Sequence, residues 1–176
     1  MSRRAVFLDR DGVLVDTLVR DNRAYAPTSL EEFRLYRDAA PQVERLRQAG
    51  LLAIVFTNQP DVGRGIIAPA TLSRMHEILR STVPVEDVLV CPHVNDGECA
   101  CRKPKPGMLE DAAVRWGVDL ARSFVIGDRW RDVDAGRAVG CYSILLDRPW
   151  SECVTADARV GSLTEAVDLV LARTAA

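Results

Sequence analysis

The chain has no surplus of basic residues: lysine and arginine number 23 against 25 aspartates and glutamates, a formal net charge of −2. A nucleic-acid partner is therefore not expected, since such proteins concentrate positive charge against phosphates. No apolar run approaches the ~20 residues of a membrane span, and Asp9 and Asp11 follow Met1-Ser2-Arg3-Arg4 too soon for a secretory core. The expectation is a cytoplasmic protein with no membrane partner. Repeats, low-complexity stretches and linkers are also missing, so residues 1–176 read as a single domain. A chain of this length buries roughly 70% of its unfolded surface, so neither a disulfide nor a metal is needed merely for stability. Complete cysteine pairing is excluded by the count of five, and Cys91, Cys99 and Cys101 crowd around His93, which favours a metal over disulfides. These residues supply three thiolates and one imidazole, a closed tetrahedral set for structural zinc. Cys141 and Cys153 read as ordinary thiols.

Short apolar runs alternate with helical-period stretches. Strands are expected at Ala5–Leu8, Leu52–Thr57, Val88–Cys91, Phe124–Gly127 and Tyr142–Leu146. Helices are expected from Pro41 to Gly50, from Pro69 through Leu72, Met75 and Leu79, from Gly107 to Gly117, from Arg131 to Val139, and after a Ser162/Glu165 capping box. A long loop is expected from about Asp11 to Asp38. This alternation predicts a doubly wound parallel α/β sheet, Rossmann-like, whose site lies beyond the carboxyl ends of its strands.

Those ends are polar. The first strand runs into Asp9-Arg10-Asp11-Gly12, and alternation along an extended chain lets Asp9 and Asp11 point the same way. Two carboxylates ~4 Å apart repel by about 4 kcal/mol at an effective dielectric of ~20, so the pair calls for a cation, a shared proton or solvent. A solvated Asp-Gly turn is the plainer alternative. The second strand ends in Thr57-Asn58-Gln59 and the fourth in Gly127-Asp128, followed by Asp132. Asp128 and Asp132 are each explicable as helix caps, but acids and hydroxyls ending three strands at one edge suit Mg²⁺ and a phosphate. The segment Cys101-Arg102-Lys103-Pro104-Lys105-Pro106-Gly107 brings cations stiffened by two prolines, as a bound anion requires. Arg64 and Arg129 are open to two readings, a second phosphate or solvent. His76 reads as an exposed helix residue, and Trp116, Trp130 and Trp150 as packing, with Trp130 close enough to Asp128 to line a site.

Phe7-Leu8-Asp9-Arg10-Asp11-Gly12, Val55-Phe56-Thr57-Asn58, the Lys103 segment, and Val125-Ile126-Gly127-Asp128 with Asp132 resemble, in order, the four motifs of the haloacid dehalogenase superfamily of phosphotransferases. Within it, Cys91-Pro92-His93 and Cys101-Arg102-Lys103-Pro104 resemble the heptose-bisphosphate and histidinol-phosphate phosphatases. The resemblance implies a Mg²⁺-dependent phosphomonoester hydrolase without a separate cap domain, carrying a zinc-binding loop and acting on a small phosphorylated metabolite; a monomer is expected. It implies Asp9 as nucleophile, Asp11 as general acid and base, and Thr57 and Lys103 as holders of the transferred oxygens, with Lys105 the other candidate lysine. Arg102 is implied to bind substrate, and Asn58 and Arg129 are candidate substrate contacts beside it. Mg²⁺ is implied at Asp9, the Asp11 carbonyl oxygen and Asp128, and zinc at Cys91, His93, Cys99 and Cys101. Pro60 and the short stretch Val94-Asn95-Asp96-Gly97-Glu98 depart from the subgroup's pattern in loops expected to face the substrate, beside the loop from Asp16 to Pro27. A receiver-like phospho-accepting module shares the clustered aspartates, hydroxyl and lysine; Asp11 argues against it.

Overall fold

The structure, a computed structural model, describes residues 2–20, 23–94 and 99–175. Strand β1 (Ala5–Leu8) is buried on both faces, as expected for a strand at the centre of a parallel sheet. Its side chains alternate between two cores. Val6 and Leu8 face one layer, which receives Val43 and Leu46 of α1 (Ala39–Gln48), Leu72, Met75 and Leu79 of α3 (Pro69–Thr82), and Val167 and Val170 of α6 (Leu163–Ala175). Ala5 and Phe7 face the other, against Met108, Leu109 and Ala112 of α4 (Gly107–Trp116) and Ala135 of α5 (Trp130–Ala138). Phe7 meets Phe56 edge to face at 6.2 Å. Each valine, leucine, methionine or phenylalanine among them contributes about 1.5–3 kcal/mol when fully buried.

The sheet is wholly parallel. β4 (Leu52–Asn58) and β5 (Asp87–Cys91) lie to one side of β1, and β6 (Phe124–Gly127), β7 (Tyr142–Leu146) and β8 (Ala158–Val160) to the other, in the order β5-β4-β1-β6-β7-β8. The strand order therefore reverses across β1, which makes its end the switch point where ligands of open α/β sheets bind. Registers of Leu8 with Val55 and with Ile126 bring Asp9, Thr57 and Asp128 to one edge.

The expected strands and long helices are present, and the described residues add a short 3-10 turn at Leu120–Arg122 and three further features. β8 is a sixth strand, too short and half-exposed for its alternation to be read in advance. The expected loop from Asp11 to Asp38 contains an antiparallel hairpin of β2 (Leu18–Arg20) and β3 (Arg23–Tyr25). Pro60 opens a one-turn helix, α2 (Pro60–Gly63), where proline's fixed φ costs nothing. Positions 95–98, part of the stretch noted beside His93, lie outside the described residues, as do 21 and 22. Among the described residues no helix is long and apolar enough to cross a membrane.

Candidate active site and metal centres

Asp9, Asp11, Thr57, Asn58, Arg102, Lys103 and Arg129 all line one cleft of about 210 Å³ over the end of β1. Thr17 and Ala26, flanking the hairpin, and Pro60 form part of its wall, in keeping with the loops expected to bound the site. Arg131 lines it as well, a residue the motifs did not single out.

The carboxylates fall into two groups. Asp11 is gripped by Arg10, whose Nε and Nη2 donate to its two oxygens at 2.9 Å each, while Gln59 Nε2 donates to Asp11 Oδ2 at 2.7 Å. Gln59 Nε2 also donates to Thr57 Oγ1 at 2.9 Å. With its oxygen accepting from Gln59, the Thr57 hydroxyl has its own hydrogen left for an anion.

The second group is Asp9, Asp128 and Asp132, whose ligand atoms all lie within 4.8 Å of one another. Lys103, only 3% exposed, is the cation beside them. Its Nζ lies 2.9 Å from Asp9 Oδ1 and 2.6 Å from Asp132 Oδ1, donates to the Phe56 carbonyl at 2.9 Å, and sits 4.1 Å from the centre of the Phe56 ring. All three of its hydrogens are thus engaged by the protein. Lys105 is placed differently: its Nζ donates to the Cys99 carbonyl at 2.7 Å. Asn58 explains the difference, since its amide donates to the Lys103 carbonyl and accepts the Lys103 N–H, at 3.1 and 3.0 Å.

Three carboxylates face the Lys103 ammonium and, 3.9 Å from Asp128 Oδ2, the half-exposed Arg129 guanidinium, so negative charge remains in excess. Burial, with Asp132 and Asp128 adding repulsion against the pull of Lys103, holds the Asp9 carboxyl well above the usual carboxylate range. Burial and Asp132 raise Asp128 to about 6. Asp128 Oδ1 is buried without a hydrogen-bond partner among the described residues. Hard oxygen donors, excess negative charge and an orphaned carboxylate oxygen fit a divalent ion such as Mg²⁺.

Asp132, which the fourth motif includes but to which no role was given, serves twice. It does cap α5, its Oδ2 accepting the Arg129 N–H at 3.0 Å, but its other oxygen takes Lys103. Trp130 does not line the cleft; it stacks near Arg131. Trp150 holds the site instead, its indole N–H donating to Asp128 Oδ2, while Ser151 Oγ donates to the Asp128 carbonyl at 2.7 Å. Nothing local in the sequence marks a contact between residues this far apart. Arg129 donates to the Ala24 carbonyl at 3.0 Å, fastening β3 to the cleft, whereas Arg64 lies exposed against Asp61.

Gly12 lets the carboxylates approach. Its φ of +86° is one that residues with a side chain rarely adopt, and a Cβ there would overlap the Asp128 carboxylate. Gly12→Ala is expected to lower stability by about 1–3 kcal/mol through strain and to displace Asp128. Thermal unfolding together with a Mg²⁺ titration checks this, and an unchanged midpoint and affinity contradict it.

At the end of β5, Cys91 Sγ lies 3.5 Å from His93 Nδ1 and 3.8 Å from Cys99 Sγ, and Cys101 Sγ lies 3.3 Å from His93 Nδ1. Metal–ligand bonds of about 2.0–2.3 Å in a tetrahedron put ligands roughly 3.3–3.8 Å apart, so this set fits zinc. Burial pushes the Cys101 thiol up to about 12, so deprotonation there requires a cation. Arg102 Nη1 donates to the His93 carbonyl at 2.8 Å, tying the cluster to the cleft.

A buried aspartate at the switch point of a parallel sheet, with a lysine and two further carboxylates around it, defines the class of haloacid dehalogenase-like hydrolases that transfer phosphoryl groups. Residues 100–149 match the model of the HAD-hydrolase-like family. A curated relative from Pseudomonas aeruginosa, D-glycero-β-D-manno-heptose-1,7-bisphosphate 7-phosphatase, is 39% identical over 151 residues, 83% of this chain and 82% of its own. The bifunctional histidine biosynthesis protein HisB of Campylobacter jejuni is 36% identical over 158 residues, 86% of this chain but 44% of its own. Among solved structures, D,D-heptose 1,7-bisphosphate phosphatase from B. bronchiseptica, complexed with magnesium and phosphate, superposes with a TM-score of 0.82 at 30% identity, covering 96% of this chain and 98% of that one. The chain belongs to the haloacid dehalogenase-like phosphatase family, in the branch that contains these heptose-bisphosphate phosphatases.

Proposed function

We propose that this phosphatase removes the 7-phosphate of D-glycero-D-manno-heptose 1,7-bisphosphate through an aspartyl-phosphate on Asp9. The observation that carries the reading is the setting of Asp9: buried at the switch point, with Oδ1 held by the Arg10 N–H at 2.7 Å and by Lys103, and Oδ2 free of hydrogen bonds among the described residues. That free oxygen attacks phosphorus, and the bond from phosphorus to the sugar oxygen breaks. Protonated Asp11 gives its proton to the leaving oxygen. As the ionised base, Asp11 then takes a proton from the water that attacks the phosphorus of the aspartyl-phosphate, and Asp9 is released with inorganic phosphate. Thr57 donates to a transferring oxygen. Lys103 orients Asp9 and favours its ionised form against the burial that opposes it, and the hydrogen it gives to Asp9 can turn to the phosphate as the phosphoenzyme forms.

Asp9, Asp128 and the Asp11 carbonyl oxygen are the expected ligands of Mg²⁺, and the position of Asp132 adds a further carboxylate beside them. When bound, Mg²⁺ neutralises the charge of the phosphate and of the carboxylates that face it. In this reading the whole chain is one catalytic domain, acting as a monomer in the cytoplasm.

The relatives' names support the heptose, and so does the cleft. Arg102, Arg129 and Arg131 line it beside Asp9. Their charge suits a second phosphate and repels the ammonium of histidinol phosphate, the substrate that the HisB resemblance brings forward. Values of kcat/KM on both anomers of heptose 1,7-bisphosphate and on histidinol phosphate decide between them. A bisphosphate preference of about 100-fold, near 2.7 kcal/mol, is expected; the reverse order replaces the heptose with histidinol phosphate.

Zinc at Cys91, His93, Cys99 and Cys101 supports the site from one side, because Arg102 and Lys103 follow directly on Cys101. Purified protein is expected to hold one zinc per chain by elemental analysis. Cys101→Ser should lose that zinc, unfold at lower temperature and lose about 10- to 100-fold in kcat/KM. Full activity and stability without zinc would make the cluster peripheral.

A further inference from the structure

His76 belongs to no motif of the site, and its sequence context suggested an exposed helix residue. It is instead half-buried on α3, with Nε2 3.1 Å from Arg10 Nη1. Arg10 is completely buried. Such a guanidinium has only donors, so every group that meets it must accept. Asp11 takes Nε and Nη2, the Phe33 ring lies 5.6 Å from Cζ, and His76 takes Nη1. The direction of that hydrogen bond requires His76 to be neutral, with its proton on Nδ1. Burial and the neighbouring guanidinium agree, pushing the imidazole down to about 4.

The contacts form a chain from α3 to the cleft: His76 holds Arg10, Arg10 holds both oxygens of Asp11, and Asp11 faces the substrate. Arg10 can present its Nε–Nη2 edge to Asp11 in one orientation only while Nη1 is anchored behind it. Loss of that anchor leaves a buried donor unsatisfied and lets the guanidinium turn toward other acceptors, carrying the Asp11 carboxylate with it. Misplacing a proton donor by about 1 Å costs as much as 100-fold.

We propose that His76 is a positioning residue for Asp11, acting through Arg10 to set the geometry of proton delivery to the leaving oxygen. The inference rests on the phosphatase reading above. Its test exploits the fact that an alkoxide leaving group needs a proton whereas p-nitrophenolate does not, and that kcat/KM reports only the steps up to leaving-group departure. His76→Leu is expected to lose about 10-fold or more in kcat/KM on heptose 1,7-bisphosphate and less than about 2-fold on p-nitrophenyl phosphate. His76→Gln, whose side-chain oxygen can still accept from Arg10, should restore most of the loss. Should the leucine variant fail to fold, His76→Ala, which admits water to the Arg10 hydrogen, carries the same comparison. Equal losses on both substrates, or no loss on the heptose, overturn the inference while leaving the phosphatase reading in place. A wild-type chain that releases phosphate from neither substrate overturns that reading and this inference with it.

Discussion

Asp9→Asn is expected to lower phosphate release by on the order of 10⁴-fold or more, the scale seen when a covalent nucleophile is removed, while the metal-free protein unfolds at a higher temperature than the wild type. The two effects have one origin. In the folded protein the Asp9 carboxyl sits well above its ordinary range because it is buried among other carboxylates, so its ionised form opposes folding at neutral pH. An amide of nearly the same shape removes that charge, keeps an oxygen for Lys103 and cannot form the phosphoenzyme. Zinc content should be unaffected. Activity assays alongside thermal unfolding in a chelator check the pair. Undiminished turnover removes Asp9 from the mechanism, and a lower unfolding temperature contradicts the electrostatic account of the cluster.

Lys103→Met is expected to have the opposite effect on stability. Methionine fills much of the same volume against the Phe56 ring but supplies no charge to Asp9 or Asp132. Removing one partner of a buried ion pair costs about 3–5 kcal/mol, because the other is left uncompensated. The size of the loss should depend on pH. Burial and Asp132 set Asp128 at about 6, and Asp9 is raised as well, so the folded state holds protons that the unfolded chain has released. Stability conferred in this way is complete below about pH 4 and is lost as pH rises through 6. Removing the ammonium raises both carboxyls further, so the variant's deficit should be small at pH 5 and full by pH 8. Mg²⁺ should recover part of it at pH 8. Catalysis should fall by about 10²- to 10³-fold, the typical cost of one positioned donor to the transferred group. Chemical denaturation at the two pH values, with and without Mg²⁺, measures this; a deficit that does not change with pH contradicts the charge argument.

The residues that sequence reasoning located and those it missed differ in a consistent physical way. Asp9, Asp11, Thr57 and Asp128 stand at strand ends, and strand ends show as the points where buried apolar runs turn polar. Parallel register then brings them together without further information. Lys103 and Lys105 could not be told apart, since both lie in the same proline-stiffened segment; the choice is made by the Asn58 side chain gripping the Lys103 backbone from another strand. Asp132 was visible in the fourth motif without a role, because its place in the first turn of a helix does not show that one of its oxygens reaches Lys103. Trp150 meets Asp128 only because β7 ends beside β6, and His76 meets Arg10 only because α3 packs against the sheet. The hairpin of β2 and β3 was hidden for a different reason: three-residue strands in a polar stretch have too few residues for alternation to register.

These distinctions also separate the two candidate metal sites. The cysteine–histidine set is compact in sequence, with Cys91-Pro92-His93 and Cys99-Ala100-Cys101 as close pairs, and its ligand atoms stand at spacings that suit a tetrahedral ion. The carboxylate group is assembled from two strands and a helix, and its strongest mark is electrostatic: an excess of negative charge in a buried place, with one oxygen of Asp128 unpartnered among the described residues.

Acid quenching of the enzyme during a single turnover of heptose 1,7-bisphosphate, followed by mass spectrometry of the peptide that carries Phe7 to Gly12, tests the central claim most directly. One added HPO₃ group on Asp9, absent from Asp9→Asn and accumulating in Asp11→Asn, is the predicted result. Turnover that proceeds with no phosphate on Asp9 at any quench time, or with phosphate on another residue, contradicts it.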